Sequence, residues 1–527
     1  MAAAMTIHEL PNEVIRHIFT LLAEFSTNAP RAHIDATVAA SQVCWTWRQL
    51  SLSTPSIWAR CLDYGLSSDC VATIVGRSRS ERLDIVIPSF MPAFKERSAK
   101  QILLEETYGL NSEVVWMDYL DLSEICEQDH YPGNPLPDDI SVFQRCDSLQ
   151  LIVREEFCRW EDCYPVLKDC LPSVKTLALM HEQERYFPSV LLMEATDVSQ
   201  EYPWKVEALH LRNCMIPLEL PVFRSLTKLT VNNMDPIGYL FTPNGWLQVL
   251  ENMPRLCVLS LKHVFTSTSL LPPQDSRREH RPVTQFLVAL PEMESIELET
   301  TLPRAQQLMN RLFFPFHCSI KFNLDMFDDD VEASFDALCR DLGEHYRNYD
   351  PTLCNCVLFS FTGTRCRITI GTHWMDAEFA RTLVDITIEY SQGPRARTID
   401  FRPSEPLIKL LTAFGRICKE VPCIIVGRIG IFAFPGKTIY SLFQKAVFLV
   451  FEGRRSNLWT ALVTFLIPPR KGNTVHSDDP DSTIVLAPLP ALNAVVLLGR
   501  VPPEHIVDLR KFKRGQLTIH KLEQSIY

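Results

Sequence analysis

The sequence lacks any Cys-x-x-Cys pair, any Gly-x-Ser-x-Gly elbow and any unbroken apolar run long enough to cross a bilayer, and its 52 basic residues are outnumbered by 63 acidic ones. Each shortage removes a class of protein. The 17 cysteines are odd in number and scattered, which argues against a disulfide framework and for the reduced thiols of a cytoplasmic or nuclear protein. Cys354 and Cys356 have no second pair to complete a metal site and read as buried cysteines. Without the elbow, a hydrolase of that type has no support. A formal charge of −11 opposes nucleic acid, and the only tight basic run, "RKFKRG" at 510–515, is a solvated helix end or loop. The longest uncharged stretch, 482–499, is broken by Pro488 and Pro490 and suits two buried strands better than a membrane helix. The opening "MAAAMTIHELPNEV" has neither the basic nor the apolar region of a secretory signal.

Three motifs approach known chemistry and miss it. "GRIGIFAFPGKT" at 427–438 ends in Gly-Lys-Thr, but a phosphate-wrapping loop needs a glycine at Ile431, and Gly430 comes one step too early. "HEQER" at 181–185 puts Arg185 where a zinc-protease helix needs its second histidine. "NLDMFDDDVE" at 323–332 gathers carboxylates without the glycine of a calcium loop and reads as an acidic helix start. No catalytic residue, metal or cofactor is expected. An enzyme would have to hold its site in residues 320–460, where the pattern is hardest to read.

With 46% hydrophobic and 22% charged residues over 527 positions, the composition is that of a globular protein of two to four domains, or of one extended architecture with an appendage. The first sixty or so residues read as helices. Pro11 suits a first helical turn, and Val14, Ile18 and Leu21 form a stripe with Ile15 and Leu22 beside it. "STNAP" breaks this helix, and a second is expected from about Asp35 to Leu50. On it, Val43, Trp47 and Leu50 share a face with Ala39 and Ala40, and Trp45 points the opposite way. "STPSIW" ends the unit.

Beyond Cys61 the pattern changes to short strands built on apolar-x-x-apolar-x-apolar: "CLPSVKTLALM" at 170–180, "VEALHLRNC" at 206–214, "LTKLTVNN" at 226–233, "MPRLCVLSLKHV" at 253–264, "MESIELE" at 293–299 and "LPALNAVVLL" at 489–498. This is the strand half of a leucine-rich repeat, whose spaced apolar residues point into a solenoid. Taking Leu177, Leu209, Leu229, Leu259 and Ile296 as equivalent, the intervals are 32, 20, 30 and 37, too irregular for a consensus array. Weaker strands are expected at 83–87, 149–153, 366–370, 397–401, 447–451 and 516–520. An ordinary α/β domain would also alternate strands with helices and stays open at this point. Three proline-bearing polar stretches, at 127–139, 271–282 and 467–482, are expected surface loops.

The N-terminal segments resemble the F-box. Matching positions are Leu10, Pro11, Glu13, Val14, Ile18 and Phe19, then Val43, Cys44, Trp47 and Arg48, then Pro55, Ile57 and Trp58. Two departures are "AEFSTNAPRAH", inserted between the helices, and Ile57 in place of the usual leucine. An F-box joined to degenerate repeats is similar to the F-box proteins abundant in mushroom-forming fungi. The resemblance implies docking on a Skp-type adaptor and, through it, a cullin ubiquitin ligase, with a protein substrate held by the C-terminal region; neither nucleic acid nor membrane is an expected partner. The fold expectation is α/β: a small helical F-box over 1–62, then an irregular leucine-rich-repeat-like α/β solenoid over 63–527. The resemblance places Leu10, Pro11, Ile15, Ile18, Leu22, Val43, Cys44 and Trp47 at the adaptor-facing and box-core surface. Alternate strand residues His210, Arg212, Lys228, Thr230, Ser260 and Lys262 are the candidate substrate face. Trp45 stands where the family usually carries a polar or basic residue and is expected to pack on the repeats, with adaptor contact next and solvent last. The rival reading of the same features is a scaffold that binds the adaptor without promoting ubiquitylation.

Overall fold

The structure, a computed structural model, describes residues 10–23, 32–88, 140–153, 172–181, 189–190, 205–216, 218, 221–233, 241–265, 287–326, 331–361, 365–372, 381–389, 404–429, 442–452, 494–498 and 518–522. The expected strand at 397–401, the three proline-bearing loops and the residues after Ile429 in the Gly-Lys-Thr motif lie outside them. The chain divides into two units, Met1–Tyr239 and Leu240–Tyr527.

The first unit opens with four helices, α1 (Asn12–Leu22), α2 (Ala32–Ser41), α3 (Trp45–Leu52) and α4 (Pro55–Ala59). Pro11 is extended at the head of α1, and its carbonyl accepts from the N–H groups of Val14 and Ile15 at 3.0 and 3.2 Å. Glu13 in the first turn faces the positive end of the helix dipole. The expected second helix is in fact two. The Ser41 hydroxyl turns back to the Val38 carbonyl at 2.7 Å, and Cys44 is extended, its Sγ accepting the Trp47 N–H at 3.5 Å. A side-chain cap thus starts a new helix where periodicity alone would continue the old one.

Ile15, Phe19, Ala23, Ala40, Trp47, Leu50, Ile57 and Cys61 form the core of this bundle, with Leu10 and Cys44 packed against it. Phe19 meets Trp47 edge to face, ring centroids 5.2 Å apart. The Trp58 indole N–H donates to the Ser51 carbonyl at 2.8 Å, and the Arg77 guanidinium lies 4.5 Å over the Trp58 ring. Arg77 belongs to α5 (Ser68–Ser78), so this contact ties the bundle to the first helix beyond it.

A parallel ladder follows: β1 (Leu62–Asp63), β2 (Leu83–Pro88), β3 (Cys146–Val153, after the short helix α6, Ile140–Gln144) and β4 (Thr176–His181). Next come β5 (Ser189–Val190), β6 (Ala208–Arg212), β7 (Cys214–Met215) and β8 (Lys228–Asn232). In the main ladder β6 follows β4 and β8 follows β6, while β5 and β7 pair with each other. The register runs Leu62, Ile85, Leu149, Leu177, Leu209, Leu229 as one column of direct neighbours, every side chain buried. Spacings of 32 and 20 in sequence therefore end at equivalent positions in space. Val174, Val206 and Leu226, three residues before the last three members of the column, are fully buried too, as the repeat frame requires. His181 is the last residue of β4, and the rest of that motif, 182–185, lies outside the described residues.

The second unit resumes the same plan with α7 (Pro243–Glu251), β9 (Val258–Lys262), β10 (Val288–Ala289), β11 (Ser295–Thr301), α8 (Leu302–Met309), β12 (Leu312–Phe313), β13 (Ser319–Asp325) and α9 (Val331–His345). Thr242 caps α7, its hydroxyl accepting the Gly245 N–H at 3.2 Å, and Trp246 is buried with its indole N–H donating to the Val264 carbonyl at 3.3 Å. Leu259, Ile296 and Ile320 form a column of their own within this unit, in parallel register. Then the plan changes. The chain forms an antiparallel meander, β14 (Cys356–Phe361), β15 (Arg365–Thr372) and β16 (Arg381–Glu389), with β16 beside β13 and β15 running against both its neighbours. After α10 (Ser404–Ala413) and α11 (Gly415–Glu420), β17 (Cys423–Ile429) pairs in parallel with β14, and β18 (Phe448–Glu452), β19 (Ala494–Leu498) and β20 (Thr518–Leu522) follow in parallel. No helix among the described residues is long and apolar enough to cross a membrane.

Candidate functional site

The eight residues read from sequence as the adaptor-facing and box-core surface divide in two. Ile15 and Trp47, the latter 8% exposed, are inside the bundle core and hold the helices together, and so belong to the box-core part of that surface. Leu10, Ile18 and Cys44 are half-buried, whereas Pro11, Leu22 and Val43 are exposed, Val43 at 59%. Further apolar side chains stand out beside these: Val14 and Leu21 on α1, Val38 on α2, and Trp45 at the start of α3. On α1 the cause is geometric. Ile15 and Phe19, four apart, take the core, which leaves the adjacent stripe through Val14, Ile18 and Leu21 turned outward.

Trp45 is 75% exposed, so the expectation that it packs on the repeats is overturned. The break before Cys44 sets the rotation of α3 so that Trp47 and Leu50 fill the core. Trp45, two residues from Trp47 and so about 200° around the helix, has to face away. A closed core on a unit of roughly sixty residues is thus ringed by exposed apolar side chains.

Residues 7–62 match the model of the F-box-like family. The chain therefore carries an F-box-like domain, and its closed core, from Leu10 to Cys61, falls within the matched residues. No curated protein matches the chain. Among solved structures, a leucine-rich-repeat protein of Leptospira interrogans overlaps 73% of this chain and 92% of its own length at 11% identity, with a TM-score of 0.27. At that score the overlap adds nothing to the strand register, which carries the repeat-like architecture by itself. Among the described residues the F-box-like domain is thus followed by repeat-like, parallel-strand α/β structure in each unit, with an antiparallel meander in the second.

The residues between the column leucines were expected to face solvent. In the first unit they do so only in part. Val86, Ile152, Ala178 and Met180 form a second buried apolar cluster, and Gln150 among them is wholly buried, its amide N–H reaching the Met180 sulfur at 3.1 Å. These residues alternate with the leucines of β2 to β4, so here both faces of the ladder are covered. His210, set by register between Ala178 and Thr230, is only 8% exposed. Burial, reinforced by the Lys228 charge, lowers its pKa to about 4, so it is neutral at physiological pH. Arg212 and Thr230 are half-buried and Lys228 is exposed.

In the second unit the corresponding positions make a charge network. Ser260, itself buried, donates to Glu297 at 2.9 Å, and Lys262 and Lys321 reach the same carboxylate at 3.0 and 2.8 Å. Burial pushes the Glu297 carboxyl up, but the hydrogen bonds from Lys321, Lys262 and Ser260 outweigh it and hold the group below its ordinary value. Arg367 clasps Asp385 through two bonds of 2.9 and 2.8 Å, Arg365 pairs with Glu389, and His263 meets Glu299 at 3.0 Å. Sequence reading selected Ser260 and Lys262 but missed Glu297, Lys321, Arg367 and Asp385, which alternation alone marks as outward. Among the described residues no group of three or more histidines, cysteines or acids could hold a metal ion.

Proposed function

We propose that the chain is the substrate-receptor subunit of a Skp-cullin-F-box type ubiquitin ligase, non-catalytic itself, docking a Skp-type adaptor through residues 7–62 and a protein substrate through the repeat-like region. The observation that supports this best is the exposed apolar set of Val14, Leu21, Val43 and Trp45 around a core already closed by Ile15, Phe19 and Trp47. A helical domain that has filled its own core and still exposes large side chains is built to bury them against another protein. Interfaces of this kind concentrate their energy in a few anchors, so truncating one costs roughly 2 kcal/mol, about thirtyfold in affinity.

The test is co-purification of the full chain with a Skp-type adaptor, with circular dichroism to monitor folding. Val14→Asp combined with Leu21→Asp, and separately Leu10→Ala with Pro11→Ala, are expected to lose the adaptor with the helical signal retained. Wild-type chain that fails to bind any Skp-type adaptor defeats the reading. Binding followed by ubiquitin-chain formation on a captured substrate, in a reconstituted ligase, supports it. Binding without ubiquitin transfer would leave a scaffold.

A further inference from the structure

Cys356 opens β14 and Cys423 opens β17, and the parallel register sets them directly opposite each other. The Cys423 N–H donates to the Asn355 carbonyl at 3.2 Å, which fixes the two strands at the position of the pair. Neighbouring strands lie about 4.8 Å apart, inside the roughly 4.4–6.8 Å span of Cα separations that a disulfide bridges. The proximity of the two cysteines raises the Cys356 thiol and lowers that of Cys423. Both cysteines are free, and no other two cysteines face each other across the described strands. Cys356 is buried, while Cys423 is half-buried.

We propose that Cys356 and Cys423 are a modification site: a thiol pair that a peroxide oxidises reversibly to a disulfide joining β14 to β17. The chemistry balances with one named co-reactant. The Cys423 thiolate attacks one oxygen of hydrogen peroxide, the O–O bond breaks, and a sulfenic acid forms as hydroxide leaves. The Cys356 sulfur then attacks the Cys423 sulfur, the S–OH bond breaks, and the S–S bond forms. The protons of the two thiols end in two molecules of water; sulfur is oxidised and peroxide reduced. Exposure favours this division of roles: Cys423 is the half-buried thiol of the two and Cys356 the buried one. The interaction between them acts the same way, raising Cys356 and lowering Cys423, so Cys423 is the nucleophile. The other thiols nearby are placed differently: burial raises Cys354, and Cys418 is fully buried within α11.

A disulfide between adjacent strands holds its sulfurs in a constrained geometry and is correspondingly easy to reduce, which makes it a switch more than a staple. It would fasten the meander to the first strand of the resumed ladder, at the end of β14 remote from the register shift at Phe359 and Phe361.

The test treats the folded full chain with hydrogen peroxide, blocks remaining thiols with N-ethylmaleimide, digests, and reads cross-linked peptides by mass spectrometry. The expected product is one peptide pair joining Cys356 to Cys423, lost on treatment with dithiothreitol and absent from Cys423→Ser. Because the wild-type chain alone decides the outcome, poor folding of the variant does not matter; Cys354→Ser, as a second variant, should keep the link. Cys423 passing to the sulfinic acid without a link, Cys356 linking instead to Cys354, or both thiols surviving while exposed Cys70 oxidises would each overturn the proposal.

Discussion

At the residue scale, His210 and the column leucines make separate predictions. The folded chain keeps His210 neutral down to about pH 4, whereas an unfolded histidine takes up its proton near pH 6.5. The proton therefore favours the unfolded chain. The stability tied to neutral His210 is whole above about pH 6.5 and is lost progressively as pH falls from there to about 4, by roughly 3 kcal/mol at most. Denaturant titrations across that window should show the decline, and His210→Gln should flatten it; an identical slope in the variant would mean that His210 is not the group responsible. Leu209 and Leu259 are fully buried, so Leu209→Ala or Leu259→Ala should each cost about 2–5 kcal/mol, read as a lowered melting temperature. Such leucines were legible because the frame repeats. His210 was placed on the correct alternate row but not at its burial, since alternation says which way a side chain points and nothing about what lies over it. In the same way sequence named Ile15 and Val43 together, although one is core and the other 59% exposed.

At the element scale, strands carrying the apolar-x-x-apolar-x-apolar frame were readable. The weaker runs at 83–87, 149–153 and 366–370 also fall on strands, and those at 447–451 and 516–520 overlap strands beginning at Phe448 and Thr518. The strands β13, β14, β16 and β17 were not anticipated, and neither was the reversed direction of β15, because the pattern of an alternating strand is the same read up or down. One residue does report the antiparallel packing. A Cβ added at Gly371, at the register shift between β15 and β16, would overlap the Arg381 carbonyl oxygen. Gly371→Ala should therefore destabilise the meander by about 1–3 kcal/mol; a melting temperature equal to wild type would show that the backbone there yields freely. The split between α2 and α3 was missed for a similar reason. Helical periodicity runs straight through Gln42 and Val43, and only the cap at Cys44 marks the boundary.

At the scale of the whole molecule, the two proposed tasks belong to different stretches of chain. Deleting residues 1–62 should abolish capture of the adaptor while repeat-bound proteins are retained, as read by affinity purification and mass spectrometry of the two forms side by side. Loss of both sets together would show that the tasks are not separable. The meander adds a consequence of another kind. In a simple parallel array each strand needs only its sequence neighbour, so structure can spread one repeat at a time from any starting point. Here β13 must wait for β16, and β17 must find β14 across the intervening β15, β16, α10 and α11. Each pairing closes a loop of several dozen residues before it is rewarded. This stretch has to assemble as one cooperative block, a kinetic bottleneck set inside an otherwise incremental folding path.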